Sequence, residues 1–178
     1  MNVRIATASD VPALQTLIGF SVRGLSVGFY TGDEIEAAMT EVFGVDTQLI
    51  ADGTYYLVDG PAGPVACGGW SARRTLYGGD QRKAADDPML DPASDAARIR
   101  AFFVHPDWAR RGLARQLFAT CERAAAAANF RRFELMATLP GEPLYRALGF
   151  TPIEQVVLPL GQGVALRLVR MTRRIDPL

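Results

Sequence analysis

Thiols are scarce in this chain. Cys67 and Cys121 are the only cysteines among 178 residues, too few for a disulfide framework or a thiolate metal site. Each sits in an apolar stretch, which predicts two reduced core residues and no bound metal. Charge imbalance is missing too. Basic and acidic residues both number 19, for a formal net charge of zero, so nothing draws the whole chain toward nucleic acid or an acidic membrane. No apolar run reaches the length of a membrane span, and no positively charged start precedes one. The expectation is a cytoplasmic chain with no membrane or nucleic-acid partner. Two phosphate-binding signatures are also absent: Gly-x-x-x-x-Gly-Lys-Ser/Thr, and Gly-x-Gly-x-x-Gly after an early strand. Their absence counts against a nucleotide-binding protein of either kind. Lys83 is the only lysine, a bias that reflects genome composition more than function.

At this length and with a hydrophobic fraction of 49%, one domain over residues 1–178 with a substantial core is the simplest organisation. Residues 2–6 read as a short strand. Ser9-Asp10-Val11-Pro12 starts a helix that Leu14, Leu17, Ile18 and Val22 continue. A second helix is predicted near Thr31–Phe43. Strands at Thr54–Val58 and Val65–Ala72 flank the turn cluster Asp59-Gly60-Pro61-Ala62-Gly63-Pro64, which makes a hairpin. Then follow a strand at 97–104, a helix at 111–128, a strand at Phe133–Ala137, a short helix near Glu142–Leu148 stopped by Gly149, and strands near 151–158 and 164–172. The pattern is α+β, or mixed α/β, with no internal repeat. Residues 75–95 are polar and rich in turn formers, so they read as a long mobile loop.

The most informative stretch is Arg98 to Gln116, where an apolar strand passes through a short loop into a glycine-started, arginine-flanked helix. The first turn of a helix leaves backbone N–H groups without internal partners and carries partial positive charge. Gly112, with no Cβ, and Ala114, with only a methyl, let a phosphate approach that backbone, and Arg110, Arg111 and Arg115 supply charge-assisted donors. Between Arg98 and Arg132 there are eight arginines against Asp107 and Glu122. A helix whose arginines are merely solvated would read the same on the glycine motif alone.

After the helix comes Leu144-Tyr145-Arg146-Ala147-Leu148-Gly149-Phe150. With Val104-His105-Pro106 ending the strand, the order of features resembles the GNAT superfamily of acyl-CoA-dependent N-acetyltransferases. That family has a strand, a Gln/Arg-x-x-Gly-x-Gly/Ala pattern and a later Tyr-x-x-x-Gly-Phe-like segment. Aligning Gly112 and Ala114 with the pattern puts Ala109 in the slot usually held by Gln or Arg, with Arg110 and Arg111 beside it. The resemblance covers residues 97–150 most specifically. It implies a GNAT-like fold: a central, mostly antiparallel twisted sheet of about six or seven strands with flanking helices.

The resemblance also implies an enzyme that moves an acetyl or other small acyl group from acetyl-CoA to a primary amine of a small molecule or peptide, without a metal. The diphosphate would rest on the amides of Arg111 to Arg115, including those of Gly112, Leu113 and Ala114. The pantetheine arm carries peptide-like amides and would pair with the strand edge at Phe102, Phe103 and Val104. A backbone N–H near Val104 would face the thioester oxygen. Tyr145 is the candidate general acid for the departing thiolate, although its ring, beside Leu144 and Leu148, could instead pack in the core. No base is assigned. The strand 97–104 holds no carboxylate, His105 is the lone imidazole, and Glu34, Glu36 and Glu41 lie on the second helix. For the acceptor, the residues to watch are Arg23, Phe29, Tyr30 and Arg73, with Arg74 beside it. A non-catalytic acyl-CoA-binding sensor or interaction module is the alternative, and a homodimer is compatible with either.

Overall fold

The computed structural model describes residues 2–176. Seven strands form one sheet: β1 (Val3–Ile5), β2 (Tyr55–Gly60), β3 (Gly63–Ser71), β4 (Ala97–Val104), β5 (Arg132–Thr138), β6 (Thr151–Pro159) and β7 (Ala165–Arg174). Their spatial order is β1-β2-β3-β4-β5-β7-β6. All neighbours pair antiparallel except β4 and β5, which are parallel. A parallel pair needs a crossover, and it is supplied by the helix that sequence periodicity placed at 111–128. The expected α/β architecture and strand count are therefore those observed.

Five helices accompany the sheet: α1 (Val11–Leu25), α2 (Gly32–Glu41), α3 (Thr47–Ala51), α4 (Leu113–Ala127) and α5 (Glu142–Ala147). α1 starts where the sequence reading puts it, with Asp10 as N-cap and Pro12 in the first turn, but the Asp10 side chain does not cap it. A 3-10 turn, Ala8–Asp10, precedes it, and the Asp10 carboxylate turns back to accept the Thr7 N–H at 2.8 Å and the Thr7 hydroxyl at 2.9 Å. Thr7 thus caps the 3-10 turn that leads into α1. The short α3 has no apolar periodicity to announce it; Asp46 starts it by accepting the Gln48 N–H at 3.0 Å.

The sheet separates two cores. Leu117, Phe118 and Cys121 of α4 pack with Phe133, Tyr145 and Phe150 on one face, while Leu14 and Ile18 of α1 pack with Leu49, Leu57 and Leu166 on the other. Fully burying one such side chain stabilises by about 1.5–3 kcal/mol, so the two apolar faces hold α4 and α1 against the strands. Both cysteines are free and buried, as expected from their apolar surroundings. No helix among the described residues is long and apolar enough to cross a membrane.

Segment 75–95, read from its composition as a mobile loop, is fastened along its first half. Arg100 on β4 donates to Thr75 O at 2.9 Å and Gly78 O at 2.6 Å. The Gly79 and Asp80 N–H groups bond to Val42 O and Val45 O, and Lys83 reaches the Asp46 carboxylate, which also takes Arg100 at 2.8 Å. Arg100 and Asp46 are almost wholly buried. Two charges taken from water require partners, and here each has the other.

Candidate active site

Two features of β4 shape the site. The first is its short partnership with β5, limited to Ala97↔Phe133 and Arg98↔Glu134. From residue 99 onward the two strands diverge and the β5-facing edge of β4 is open. The second is a bulge. Between the pairs Gly69↔Arg100 and Cys67↔Phe103, two residues of β4 oppose one of β3, and Ala101 adopts φ 55°. A bulge bends its strand and sharpens the twist, which turns the end of β4 away from β5. The buried Tyr55 hydroxyl lies 3.2 Å from Ala101 O and the same distance from Cys67 Sγ.

Beyond β4, His105 begins a 3-10 turn, Pro106–Trp108, by accepting the Asp107 N–H on Nδ1 at 3.2 Å. The chain then enters α4 through two left-handed residues, Arg110 at φ 63° and Gly112 at φ 81°. Gly112 is the N-cap of α4. It can hold this φ without strain, and a Cβ built on it would meet nothing within 4 Å, so its backbone faces open space. The first-turn amides of Leu113, Ala114 and Arg115 have no helical carbonyl to bond to. Arg110, Arg111 and Arg115 are exposed around this turn, and the Arg111 guanidinium lies 4.8 Å over the Trp108 ring. Leu113 differs from its neighbours because its side chain is core, leaving its backbone for the site. This is a cationic cradle of amides suited to an anion.

Tyr145, at the start of the second signature, lies on the α4 side. Its ring contacts Phe102 at 6.4 Å between centroids and Phe150 at 5.7 Å. Burial pushes its phenol well above the ordinary value, which keeps it protonated and able to donate. Phe103 points to the opposite face and meets Phe43 edge-on at 6.1 Å. The structure thus brings Phe102, Tyr145 and the open edge of β4 together, with the Gly112 turn following directly in the chain.

The Val104 amide has a partner that the sequence did not reveal. The His105 N–H bonds to Val65 O on β3, so by strand alternation Val104 directs its N–H away from β3, where it donates to Ser21 Oγ on α1 at 3.1 Å. One signal in the α1 sequence does point to Ser21: it lies seven residues after Leu14 and three after Ile18, on the buried apolar stripe of the helix.

The acceptor candidates are dispersed. Arg23 forms a bidentate pair with Glu36 at 2.7 and 2.8 Å. Tyr30 is buried, its phenol pushed up to about 12 by that burial, and its hydroxyl bridges Arg167 O at 2.6 Å and the Leu139 N–H at 2.9 Å. Arg73 grips Asp52 at 2.7 and 2.9 Å and also bonds to Asp87 O, while the Arg74 N–H bonds to Pro88 O. Of the four, Phe29 alone shows an exposed apolar side chain. The glutamates of α2 are occupied as well: Glu34 takes the Thr31 N–H, Glu36 takes Arg23 and Glu41 takes the Gly161 N–H. Among the described residues no group of three or more His, Cys, Asp or Glu side chains could hold a metal ion.

Comparison with known proteins gives a family match to the domain described as Acetyltransferase (GNAT) domain, over residues 91–172. No curated protein sequence matches the chain. Among solved structures, a GCN5-related N-acetyltransferase from Rhodopseudomonas palustris superposes with a TM-score of 0.70 at 16% identity, over 97% of this chain and 94% of that one. PaiA N-acetyltransferase from Thermoplasma acidophilum, solved in complex with coenzyme A, gives 0.67 at 10% identity, over 97% and 98% of the two chains. A phosphinothricin acetyltransferase from Sinorhizobium meliloti, solved with acetyl-CoA, gives 0.64 at 17% identity, over 98% and 88%. At these identities the likeness is one of fold.

Proposed function

The chain belongs to the GNAT superfamily of acetyltransferases, and we propose that it transfers an acetyl or small acyl group from acetyl-CoA to a primary amine, by direct attack while both substrates are bound. The observation that carries this reading is the edge of β4, left open after two residue pairs and leading directly into the left-handed Gly112 cap. An open strand edge offers backbone groups to an extended chain of amides. A helix start with exposed arginines offers charge and N–H groups to a diphosphate. The two lie in series, as the arm and diphosphate of a coenzyme A thioester do.

In this assignment the amides of Leu113, Ala114 and Arg115, with Arg110 and Arg111, hold the diphosphate, and the edge at Phe102, Phe103 and Val104 aligns the arm. The amine nitrogen attacks the thioester carbonyl, a C–N bond forms and the C–S bond breaks. The departing sulfur takes a proton from Tyr145, and the proton that the attacking nitrogen loses passes through solvent back to the phenolate. The amine enters as its free base, since the α2 glutamates are engaged and His105 Nδ1 already accepts a backbone N–H. Phe29 and the α1–α2 connection border the acceptor, while Arg23, Tyr30 and Arg73 act through the contacts that shape this region.

The test is release of free thiol from acetyl-CoA in the presence of a pooled panel of primary amines. Saturable, amine-dependent release is expected, with Tyr145→Phe lowering kcat on the order of 10²-fold. Tight acetyl-CoA binding without release for any amine would favour a non-catalytic sensor or interaction module.

A further inference from the structure

Ser21 is out of character for a helical hydroxyl. Thr16, Thr40 and Thr120 each bond back to the carbonyl four residues earlier, Pro12, Glu36 and Gln116, at 3.0–3.3 Å, the usual arrangement for such a side chain in a helix. Among the described residues Ser21 makes no such bond. Its oxygen is turned to β4, where it accepts the Val104 N–H, and the residue is only 5% exposed. A hydroxyl has one proton to give as well as lone pairs to accept with. The lone pair is in use, and among the described residues no acceptor takes the proton.

The neighbours fix this geometry. Phe20 packs its ring on His105 at 5.3 Å, and Gly24 lies so close to Pro106 that a Cβ would fall 2.4 Å from the proline Cγ. One side of α1 therefore packs along Val104, His105 and Pro106, with Ser21 facing the last residue of β4 on the edge that β5 does not cover. A buried polar hydrogen without an acceptor is costly, and the open edge is where an acceptor would arrive.

We propose that Ser21 is a donor-binding residue: its hydroxyl holds the Val104 amide and gives its proton to a carbonyl oxygen of the acyl donor at the open edge of β4. This rests on the acyl-transfer reading above. Two carbonyls share the required chemistry, the thioester and an amide of the pantetheine arm, and a comparison of acetyl-CoA with free CoA separates them.

The experiment is titration calorimetry of acetyl-CoA and of CoA against the wild-type protein and Ser21→Ala, with melting temperature and thiol release measured in parallel. Loss of one neutral hydrogen bond is expected to weaken binding about threefold to tenfold. Weakening of acetyl-CoA alone identifies the thioester; weakening of both ligands identifies the arm. Unchanged affinity and turnover in a folded Ser21→Ala protein would overturn the assignment. If that variant does not fold, Ser21→Cys keeps the volume with a weaker donor, and wild-type affinity there would overturn it equally. Failure of the wild-type protein to bind either ligand would instead defeat the acyl-transfer reading itself.

Discussion

The hydroxyl of Tyr55 on β2 reaches the carbonyl of Ala101 on β4 across 3.2 Å, passing over β3 to hold the one residue of β4 in a left-handed conformation. An alanine there is strained by about 1–2 kcal/mol, so the bulge persists because its surroundings fix it. Tyr55→Phe should fold, lose on the order of 1 kcal/mol in urea unfolding, and weaken acetyl-CoA binding by more than its stability loss implies, because the edge of β4 would relax toward β5. Equal binding by mutant and wild type would show that the bulge stands without Tyr55.

His105 should be dispensable for chemistry. Its Nδ1 accepts the Asp107 N–H, which leaves the other nitrogen carrying the proton in the neutral ring. An asparagine can accept the same N–H with its side-chain oxygen. His105→Asn is therefore expected to keep turnover within about threefold, about the effect of one modest hydrogen bond, and to leave the acidic limb of the pH-rate profile in place. A displaced limb would instead identify His105 as the base.

Two glycine substitutions should separate affinity from folding. Gly112→Ala meets no atom within 4 Å but must hold φ 81°, so a stability loss of about 1–2 kcal/mol is expected, with a larger fall in CoA affinity because the methyl enters the cradle. Gly24→Ala drives a methyl against Pro106 and should lower both the melting temperature and the stability through overpacking, the latter typically by about 1–3 kcal/mol. Calorimetry and thermal unfolding on the same samples would distinguish the two.

Alkaline pH should destabilise the protein. Burial pushes the Cys67 thiol from 9.0 up to about 12, and raises Cys121, Tyr55 and Tyr145 for the same reason. Above pH 9 the unfolded chain releases the Cys67 proton while the folded chain keeps it, so stability present below pH 9 is lost as pH climbs toward 12. Each such group contributes a slope of about 1.4 kcal/mol per pH unit inside its window. Urea unfolding between pH 8 and 11 would measure it, and Cys67→Ser should give a shallower decline.

What could be read from the sequence followed local rules. Gly112 after an apolar strand, the Pro61-Ala62 turn between β2 and β3, and the apolar stripe of α4 are each decided by residues within a few positions, and all three stand where expected. The missed features join residues far apart. Ser21 and Val104 are 83 positions apart, and the Arg100 bond to Asp46 spans 54. Segment 75–95 has a loop's composition, yet its backbone is held by an arginine from β4 and by the connection between α2 and α3. Arg23 and Arg73 looked available because a sequence shows a charge but not its partner.

The seam between β4 and β5 bears on the lifetime of the protein. The sheet consists of two antiparallel halves, β1–β4 and β5–β7, joined along that seam by two residue pairs and bridged by α4. A ligand lying in the seam would act as a clasp on both halves and draw the equilibrium away from open forms, by about 2.7 kcal/mol at a hundredfold excess over its Kd. Resistance to proteolysis would then rise and fall with the supply of acyl donor, so that chains short of donor are the first to be degraded.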